Sequence, residues 1–209
     1  DPGRNLGYLP GCLFGIREYI NGGNKFDWAM ISNTDLQFAD SHFFTLINNR
    51  SNDTWGVGPD IILTSSGKHQ NPFLISRPSK SKISLWEFAY SNYLFFQLYF
   101  KAYDIKSCLI GNNASSTPHT ESVYALHGSA FLLRRECVVS LMKLESLPFM
   151  YGEELFVAET VFKNKMRMVL DCDYILYHNE NQVTGKIPSK QKQKWFSDSI
   201  KTINRLFYS

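Results

Sequence analysis

The chain lacks a charge excess of either sign and any clustered cysteine motif. Its 22 Lys and Arg against 19 Asp and Glu leave a net charge of +3. Proteins that bind nucleic acid normally concentrate basic charge on one face, so we expect no nucleic-acid partner. The four cysteines are widely spaced without a CxxC pair. They neither require nor exclude disulfides, and a core of this size makes such cross-links unnecessary. We therefore expect a reduced, cytoplasmic setting.

Long uninterrupted hydrophobic runs are also missing. The longest aromatic and apolar stretch, residues 85–103, falls short of a membrane-spanning segment because polar residues interrupt it. These are Glu87, Ser91, Asn92, Gln97 and Lys101. We interpret the stretch as a buried or partly membrane-facing helix. No signal peptide is visible after the opening Asp1-Pro2, and the missing initiator Met predicts a processed or cut piece.

The 209 residues predict one α/β domain over residues 1–209, with no linker or internal repeat. Apolar periodicity predicts helices and strands in alternation, separated by loops over 64–84 and 111–121. Helices are expected over 8–20, 40–47, 85–103, 136–144, 153–163 and 189–208. Strands are expected over 26–32, 55–63, 123–134 with a turn at Gly128, 166–170 and 174–177.

Two acidic motifs stand at the ends of these elements. Asn33-Thr34-Asp35 ends the apolar run of residues 26–32. A carboxylate just past a buried strand can hold Mg²⁺ or Mn²⁺, and one Asp is enough because substrate phosphates complete the shell. Gly152-Glu153-Glu154 opens a helix, where a carboxylate pair can supply a general base. A simple turn at Asp35 and a helix-dipole preference at Glu153 and Glu154 remain alternative explanations.

Three weaker signals accompany the acids. The segment Asn5 to Gly11 contains spaced glycines before a helix, but it matches neither a Walker loop nor the dinucleotide fingerprint. His178 follows a strand, where imidazole can bind a metal or simply a neighbouring side chain. Gly128-Ser129 joins two strands with little side-chain bulk, which fits either a bend or the floor of an acceptor site.

Taken in order, these segments resemble the inverting family-2 glycosyltransferases, which have the GT-A nucleotide-diphospho-sugar transferase fold. The resemblance runs nearly end to end and is closest to the subgroup that builds bacterial capsules and other surface polysaccharides. The segments that carry it are Asn5-Leu6-Gly7-Tyr8 with Gly11 and Gly15, Trp28 to Asp35, Val57-Gly58-Pro59, Gly128 to Arg135, Tyr151 to Glu154, and Tyr177 to Glu180.

The resemblance implies a mostly parallel mixed sheet flanked by helices, and a role for each motif. Asp35 would bind Mg²⁺ or Mn²⁺, and His178 would complete the metal or diphosphate environment. Glu154 would deprotonate the acceptor hydroxyl, with Glu153 as the fallback base, and the sugar configuration would invert. Gly128 and Ser129 would lie on the acceptor side. The residues implied to contact the nucleotide sugar are Asn5, Gly7, Gly11, Asn33 and Asp35.

Some features depart from the family. Cys12-Leu13, Leu155-Phe156 and Thr160 replace residues that are polar or charged in many members. The family's opening strand and nucleotide-binding unit should precede Asn5, so the fold is expected to be N-terminally truncated and to bind the nucleotide sugar weakly when alone.

Two alternatives stay open beside the transferase. One is a non-catalytic glycan-binding or scaffold fragment with aromatic surfaces around Trp86, Tyr90 and Tyr93. The other is a membrane-surface protein, because the C-terminal helix, residues 189–208, is amphipathic and rich in lysine. The transferase reading combines with the latter as an enzyme at the inner face of the cytoplasmic membrane. It would act on a glycan or lipid-linked glycan, with peripheral membrane contact through the C-terminal helix.

Overall fold

The computed structural model describes residues 2–110, 120–179 and 189–209. They form an α/β arrangement in which helices flank one mixed sheet. The helices are α1 (Tyr8–Asn21), α2 (Lys80–Tyr90), α3 (Tyr93–Ile110), α4 (Arg135–Met142), α5 (Glu153–Lys163) and α6 (Ser189–Ile203), with a short 3-10 helix over Phe43–Ile47 and a π-helical turn over Asn204–Tyr208. The strands are β1 (Trp28–Ser32), β2 (Leu36–Phe38), β3 (Thr54–Leu63), β4 (Thr120–Val123), β5 (Ala130–Arg134) and β6 (Arg167–His178).

The described strands are ordered β1-β5-β3-β6-β2, with β4 also paired to β6. Only β3 and β6 run parallel, and the other four pairings are antiparallel. The prediction of a mostly parallel sheet is therefore wrong, although a mixed sheet is confirmed. The reason is that β5 leaves the turn at residues 127–129 and runs back between β1 and β3, opposite to both. Among the strands of the described ranges, β1 pairs only with β5 and is an edge strand.

The predicted single helix over residues 85–103 is wrong, because two helices meet there. Ser91 Oγ donates to the Phe88 carbonyl at 2.7 Å and closes α2, and Asn92 Oδ1 accepts from the Phe95 N–H at 3.0 Å and opens α3. Such side-chain hydrogen bonds replace the backbone hydrogen bonds of a continuous helix.

The loop predicted over 64–84 is also too long. Its last residues belong to α2, which Ser79 caps by accepting from the Lys82 N–H.

Several strands differ from expectation, among them β4, which ends at Val123 where a strand was predicted to begin. The two short strands predicted over 166–177 are one continuous strand, β6, and the short strand β2 was not predicted. Strand β3 covers the predicted residues 55–63, and its ladder with β6 shifts register between Pro59 and Asp60. A proline has no N–H to donate, so a bulge accommodates it within the strand. The predicted loop over 111–121 lies almost wholly outside the described residues, and only its last two belong to β4.

The larger hydrophobic core joins one face of the sheet to most of the helices. The C-terminal helix contributes Ile200 and Ile203, and the turn after it contributes Phe207, all buried there. The apolar side of α6 is thus already packed, which leaves its lysine-rich side to the solvent. A second, smaller cluster around Phe43, Val57 and Leu176 covers the opposite face. Within the described ranges, none of the helices is both long enough and apolar enough to cross a bilayer.

Candidate functional site

The strand register brings the predicted motifs to one edge of the sheet. Ser32 at the end of β1 lies opposite Ala130 at the start of β5. His178 at the end of β6 lies opposite both Leu36 and Leu63. The segments that follow β1 and β6 and the turn that precedes β5 therefore meet, because each continues past the same edge.

Asp35 and His178 form the centre of this edge. Asp35 Oδ1 lies 3.3 Å from His178 Nε2, and Asn33 Nδ2 lies 3.5 Å from the same imidazole nitrogen. On the other side of the ring, His178 Nδ1 is 2.7 Å from Gln70 Oε1. Since an amide oxygen can only accept, Nδ1 donates to Gln70, and Nε2 is the ring nitrogen that faces Asp35.

Asp35 Oδ1 is buried and receives no hydrogen bond from any part of the chain that the structure describes. A buried acceptor without a donor is costly. Either a proton on His178 or a cation close to Asp35 would remove that cost. The surroundings of Asp35 and His178 therefore fit the carboxylate and imidazole ligands of a divalent cation.

Hydrogen bonds connect the Asp35–His178 pair to the turn before β5. The Asn33 N–H donates to the Ser129 carbonyl at 2.8 Å. The Ser129 N–H donates to His127 Nδ1 at 3.2 Å, and its hydroxyl lies 2.9 Å from the same nitrogen. His127 in turn donates its own N–H to Asn71 Oδ1 at 2.7 Å. The turn is thus held rigidly against both Asn33 and the loop that follows β3.

His127 is expected to stay neutral at physiological pH. Burial, with a smaller contribution from nearby His178, lowers its pKa from 6.5 to about 4. Because the unfolded chain takes up a proton at higher pH than the folded chain, His127 weakens the fold as pH falls below about 6.5. An NMR titration of the imidazole should show a midpoint near 4. A midpoint at or above 6.5 would contradict this placement.

The acidic pair lies directly behind the same turn. The Gly128 N–H donates to Glu154 Oε1 at 3.2 Å. A side chain at Gly128 would meet that oxygen at 2.7 Å and Glu153 Cγ at 2.9 Å, so glycine permits the approach. Gly152 has a φ of 86° and opens α5 in the left-handed conformation, which glycine adopts without strain.

Both carboxyl groups are shifted toward their protonated forms. Burial raises the pKa of Glu153 well above its usual value, and the neighbouring Glu154 raises it further. Burial also raises the pKa of Glu154, while backbone N–H groups, including that of Gly128, act in the opposite direction. Glu153 Oε2 is buried and has no hydrogen-bond partner among the described residues. A carboxylate with a raised pKa beside a cleft is suited to accept a proton near neutral pH.

The glycine segment before α1 packs against this region. Gly7 has a φ of 86°, and a Cβ there would lie 1.9 Å from the Phe149 carbonyl oxygen. Asn5 Oδ1 accepts from the Gly7 N–H at 2.9 Å. Next to it, the Tyr8 hydroxyl donates to the Gly128 carbonyl at 2.8 Å. Burial raises the pKa of Tyr8, and Cys12, Glu153, Glu154 and Asp35 add to the effect, so Tyr8 lies among the acids of both motifs. Gly11 lies inside α1, and a Cβ built there would have no neighbouring atom within 4 Å. No described contact connects Gly11 to these acids.

A mostly apolar pocket of about 260 Å³ adjoins the acidic pair. Glu154, His127 and Ser199 supply polar groups, and aromatic and aliphatic side chains form the remaining wall. The apolar lining residues are Phe73, Trp86, Tyr90, Tyr151, Leu155, Phe196, Ile200 and Ile203. Glu154 lines this pocket and Glu153 does not.

The structure thus brings together Asn33, Asp35, Gly128, Ser129, Glu153, Glu154 and His178, and it places Asn5 and Gly7 one contact away. Sequence reasoning missed His127, Gln70 and the role of Tyr8. His127 directly precedes the Gly128 motif, which could have drawn attention to it, whereas Gln70 lies in a loop without any pattern.

The edge combines the Asp35–His178 pair, a carboxylate with a raised pKa and a pocket with aromatic lining. No protein-family model matches the chain, and no curated protein matches it either.

Within the described residues, no group of three or more His, Cys, Asp or Glu side chains is arranged to hold a metal ion. A cation bound at Asp35 and His178 would thus need ligands from a bound molecule, as Mg²⁺ commonly takes from phosphates.

Proposed function

We propose that the chain is the acceptor-side part of a metal-dependent inverting glycosyltransferase with a GT-A-like fold. It would transfer a sugar from a nucleotide-diphospho-sugar to a hydroxyl of a growing surface polysaccharide. The observation that carries the proposal is the set of hydrogen bonds that connects the segment containing Asp35 to Glu154. Asn33 is bonded to Ser129, and the adjacent Gly128 is bonded to Glu154. The Asp35–His178 pair, proposed to hold the metal ion, and Glu154, proposed to be the general base, are thus connected through the turn before β5.

In this proposal Glu154 accepts the proton of the attacking hydroxyl. Its carboxylate lines the pocket, and its raised pKa favours proton uptake near neutral pH. The hydroxyl oxygen attacks the anomeric carbon from the face opposite the leaving diphosphate, so the configuration inverts. The Gly128 N–H holds the Glu154 carboxylate in place, and burial of this carboxylate raises its basicity.

Asp35 and His178 would hold Mg²⁺ or Mn²⁺, which when bound neutralises the charge that develops on the leaving diphosphate. Asp35 offers the unpaired oxygen Oδ1, and Gln70 fixes the His178 ring so that Nε2 points toward it. Asn33 presents its amide N–H groups next to the same nitrogen. Asn5 and Gly7 would border the nucleotide sugar from the segment before α1.

A second candidate is a non-catalytic glycan-binding domain, which the aromatic wall of the pocket favours. Trp86 and Tyr90 both line it, and flat aromatic faces stack well on the apolar faces of sugar rings. In the transferase proposal the same wall binds the acceptor glycan. The two candidates differ in whether binding requires a nucleotide and a metal ion.

Thermal unfolding with nucleotide sugars and nucleoside diphosphates, with and without Mn²⁺, tests the proposal. At a concentration about 100 times Kd, a true ligand should raise Tm by roughly 5–10 °C. We expect the rise to require Mn²⁺ and to disappear in Asp35→Asn. Asp27→Asn is the matched control, because Asp27 is exposed and lies before β1 rather than after it.

A rise with a glycan alone, unaffected by Mn²⁺ or by Asp35→Asn, would contradict the transferase proposal and support the glycan-binding domain. A rise with Mn²⁺ and nucleotide that survives in Asp35→Asn would show that Asp35 is not the metal ligand.

A further inference from the structure

The helical hairpin of α2 and α3 exposes an apolar surface that the proposed function does not use. Four large side chains on it are more than half exposed: Leu85 at 56%, Phe88 at 61%, Leu94 at 61% and Leu98 at 55%. Leu85 and Phe88 are three residues apart on α2, and Leu94 and Leu98 are four apart on α3, so each pair shares one helix face. Phe88 and Phe95 stack across the hairpin with ring centroids 4.9 Å apart, which joins the two faces. Contiguous exposed apolar patches of this kind mark interaction sites.

Basic side chains border this hairpin surface. Lys82 lies over the Trp86 ring at 5.1 Å, and Lys190, at the start of α6, lies 5.9 Å from the Tyr93 ring. Further exposed lysines on the same elements are Lys80 and Lys101 on the hairpin and Lys194 on α6.

Few acids oppose these lysines. On α2, the described acid is Glu87, whose Oε2 accepts from Asn204 Nδ2 at 2.6 Å on the side of the helix that packs inward. On the exposed side of α6, Asp198 lies two turns beyond Lys190. Among the side chains that the structure describes, the border of the apolar surface is therefore predominantly positive.

We propose that the α2–α3 hairpin docks the protein on an anionic phospholipid surface, with Leu85, Phe88, Leu94 and Leu98 entering the interface and the lysines contacting headgroup phosphates. An amphipathic helix with apolar side chains flanked by lysine lies in the membrane interface in this way. A protein partner would not require a border of one charge sign, whereas an anionic lipid surface does. The apolar side of α6 is buried, so this helix supplies charge to the interface and the hairpin supplies the apolar contact.

Docking through α2 would also place the pocket near the lipid. Leu85 and Phe88 project from one side of α2, and Trp86 and Tyr90 line the pocket from the other. A helix with its side chains is about 10–12 Å across, so the pocket would open roughly that far from the headgroups. An acceptor held at the membrane would then be within reach, a consequence that rests on the proposed function, whereas docking itself does not.

Sedimentation with vesicles tests the docking. The chain should bind vesicles that contain phosphatidylglycerol and phosphatidylcholine, bind pure phosphatidylcholine weakly, and dissociate as salt is raised. Leu94→Gln/Leu98→Gln should weaken binding by about tenfold or more, because two apolar side chains no longer enter the interface. Ile75→Gln is the matched control, since Ile75 is 67% exposed on a different element and should bind as the wild type does.

A charge variant isolates the lysine contribution. Lys82→Gln/Lys190→Gln should weaken binding to anionic vesicles by about tenfold, and Lys25→Gln/Lys143→Gln, which removes two exposed lysines elsewhere, should not. Circular dichroism and Tm confirm that every variant is folded.

Three results would overturn the proposal. One is equal binding to neutral and anionic vesicles, and the second is no vesicle binding at all. The third is a wild-type dimer that Leu94→Gln/Leu98→Gln converts to a monomer without any change in lipid binding, since that would make the hairpin a self-association surface.

Discussion

Glu154→Gln is expected to lower the rate of sugar transfer by about 10²–10⁴-fold while leaving the fold intact. The amide keeps an oxygen to accept from the Gly128 N–H but cannot take a proton from the acceptor hydroxyl, and that range is the usual contribution of a positioned general base. The measurement is single-turnover transfer with the nucleotide sugar found in the thermal-shift experiment. The wild-type rate should fall on the acid side with a midpoint above the usual range of a glutamate carboxyl, because burial raises the pKa of Glu154.

Glu153→Gln is the matched control for that prediction. It changes the adjacent carboxylate, which does not line the pocket, and should leave most of the activity in place. The Glu153→Gln substitution should also raise the stability of the fold at a pH above the pKa of Glu153. The pKa of Glu153 is raised in the folded state, so its contribution to stability is fully present at acid pH and is lost as pH rises through the raised pKa.

The Glu153→Gln variant should therefore be more stable than the wild type at pH 8 and little different at pH 4, as measured by urea unfolding at both pH values. Loss of transfer in Glu153→Gln with retention in Glu154→Gln would reverse the two roles.

The motifs at element ends were the part of the site that could be predicted. Asp35, His178 and Glu154 each follow or open an element whose apolar pattern is clear in the sequence, and elements that end at one sheet edge bring such residues together. The pairing register of β1 with β5 could not be predicted from the apolar pattern, and it determines which residues meet at this edge. Ser32 opposite Ala130 sets Gly128 and Ser129 beside Asn33, and a one-residue slip would turn every side chain to the other face.

The remaining errors have local physical causes. The α2–α3 hairpin looks like one helix because its apolar residues continue through Ser91 and Asn92, and only the side-chain caps reveal the break. The mostly parallel sheet was implied by the resemblance to the GT-A fold, and the order of apolar segments alone does not give the direction of β5. The strands are covered on both faces, by helices on one side and by the cluster around Phe43 on the other. Gln70 and His127 act through tertiary hydrogen bonds that no spacing rule encodes.

Helix α5 carries three glutamates in two different environments. Among the residues that the structure describes, no basic side chain is bonded to Glu153 or Glu154 at its start, which fits proton exchange. Glu159, one and a half turns later, is fully buried and is held by both nitrogens of a fork from Arg77, Nε to Oε1 and Nη2 to Oε2, each at 3.0 Å. The Tyr124 hydroxyl adds a third bond to Oε1 at 2.6 Å.

The guanidinium of Arg77 also stabilises the surroundings of this pair. It lies 4.5 Å from the Phe162 ring centroid and 4.3 Å from that of Tyr208, and its Nη2 donates to the Phe207 carbonyl at 3.2 Å. One side chain thus connects the segment before α2 with α5 and with the C-terminal turn, so the helix that positions Glu154 depends on it.

Arg77→Met is accordingly expected to reduce the free energy of unfolding by about 3–5 kcal/mol, because it leaves the buried Glu159 carboxylate without its cation. Urea unfolding monitored by circular dichroism measures the loss. Arg205→Met is the matched control: the Arg205–Glu145 pair is exposed, at 58% and 66%, and its removal should cost less than about 1 kcal/mol. Arg77→Met/Glu159→Leu should recover part of the loss, since no unpaired charge remains. A double variant less stable than Arg77→Met alone would show that stacking and hydrogen bonding, rather than the buried charge, dominate the effect.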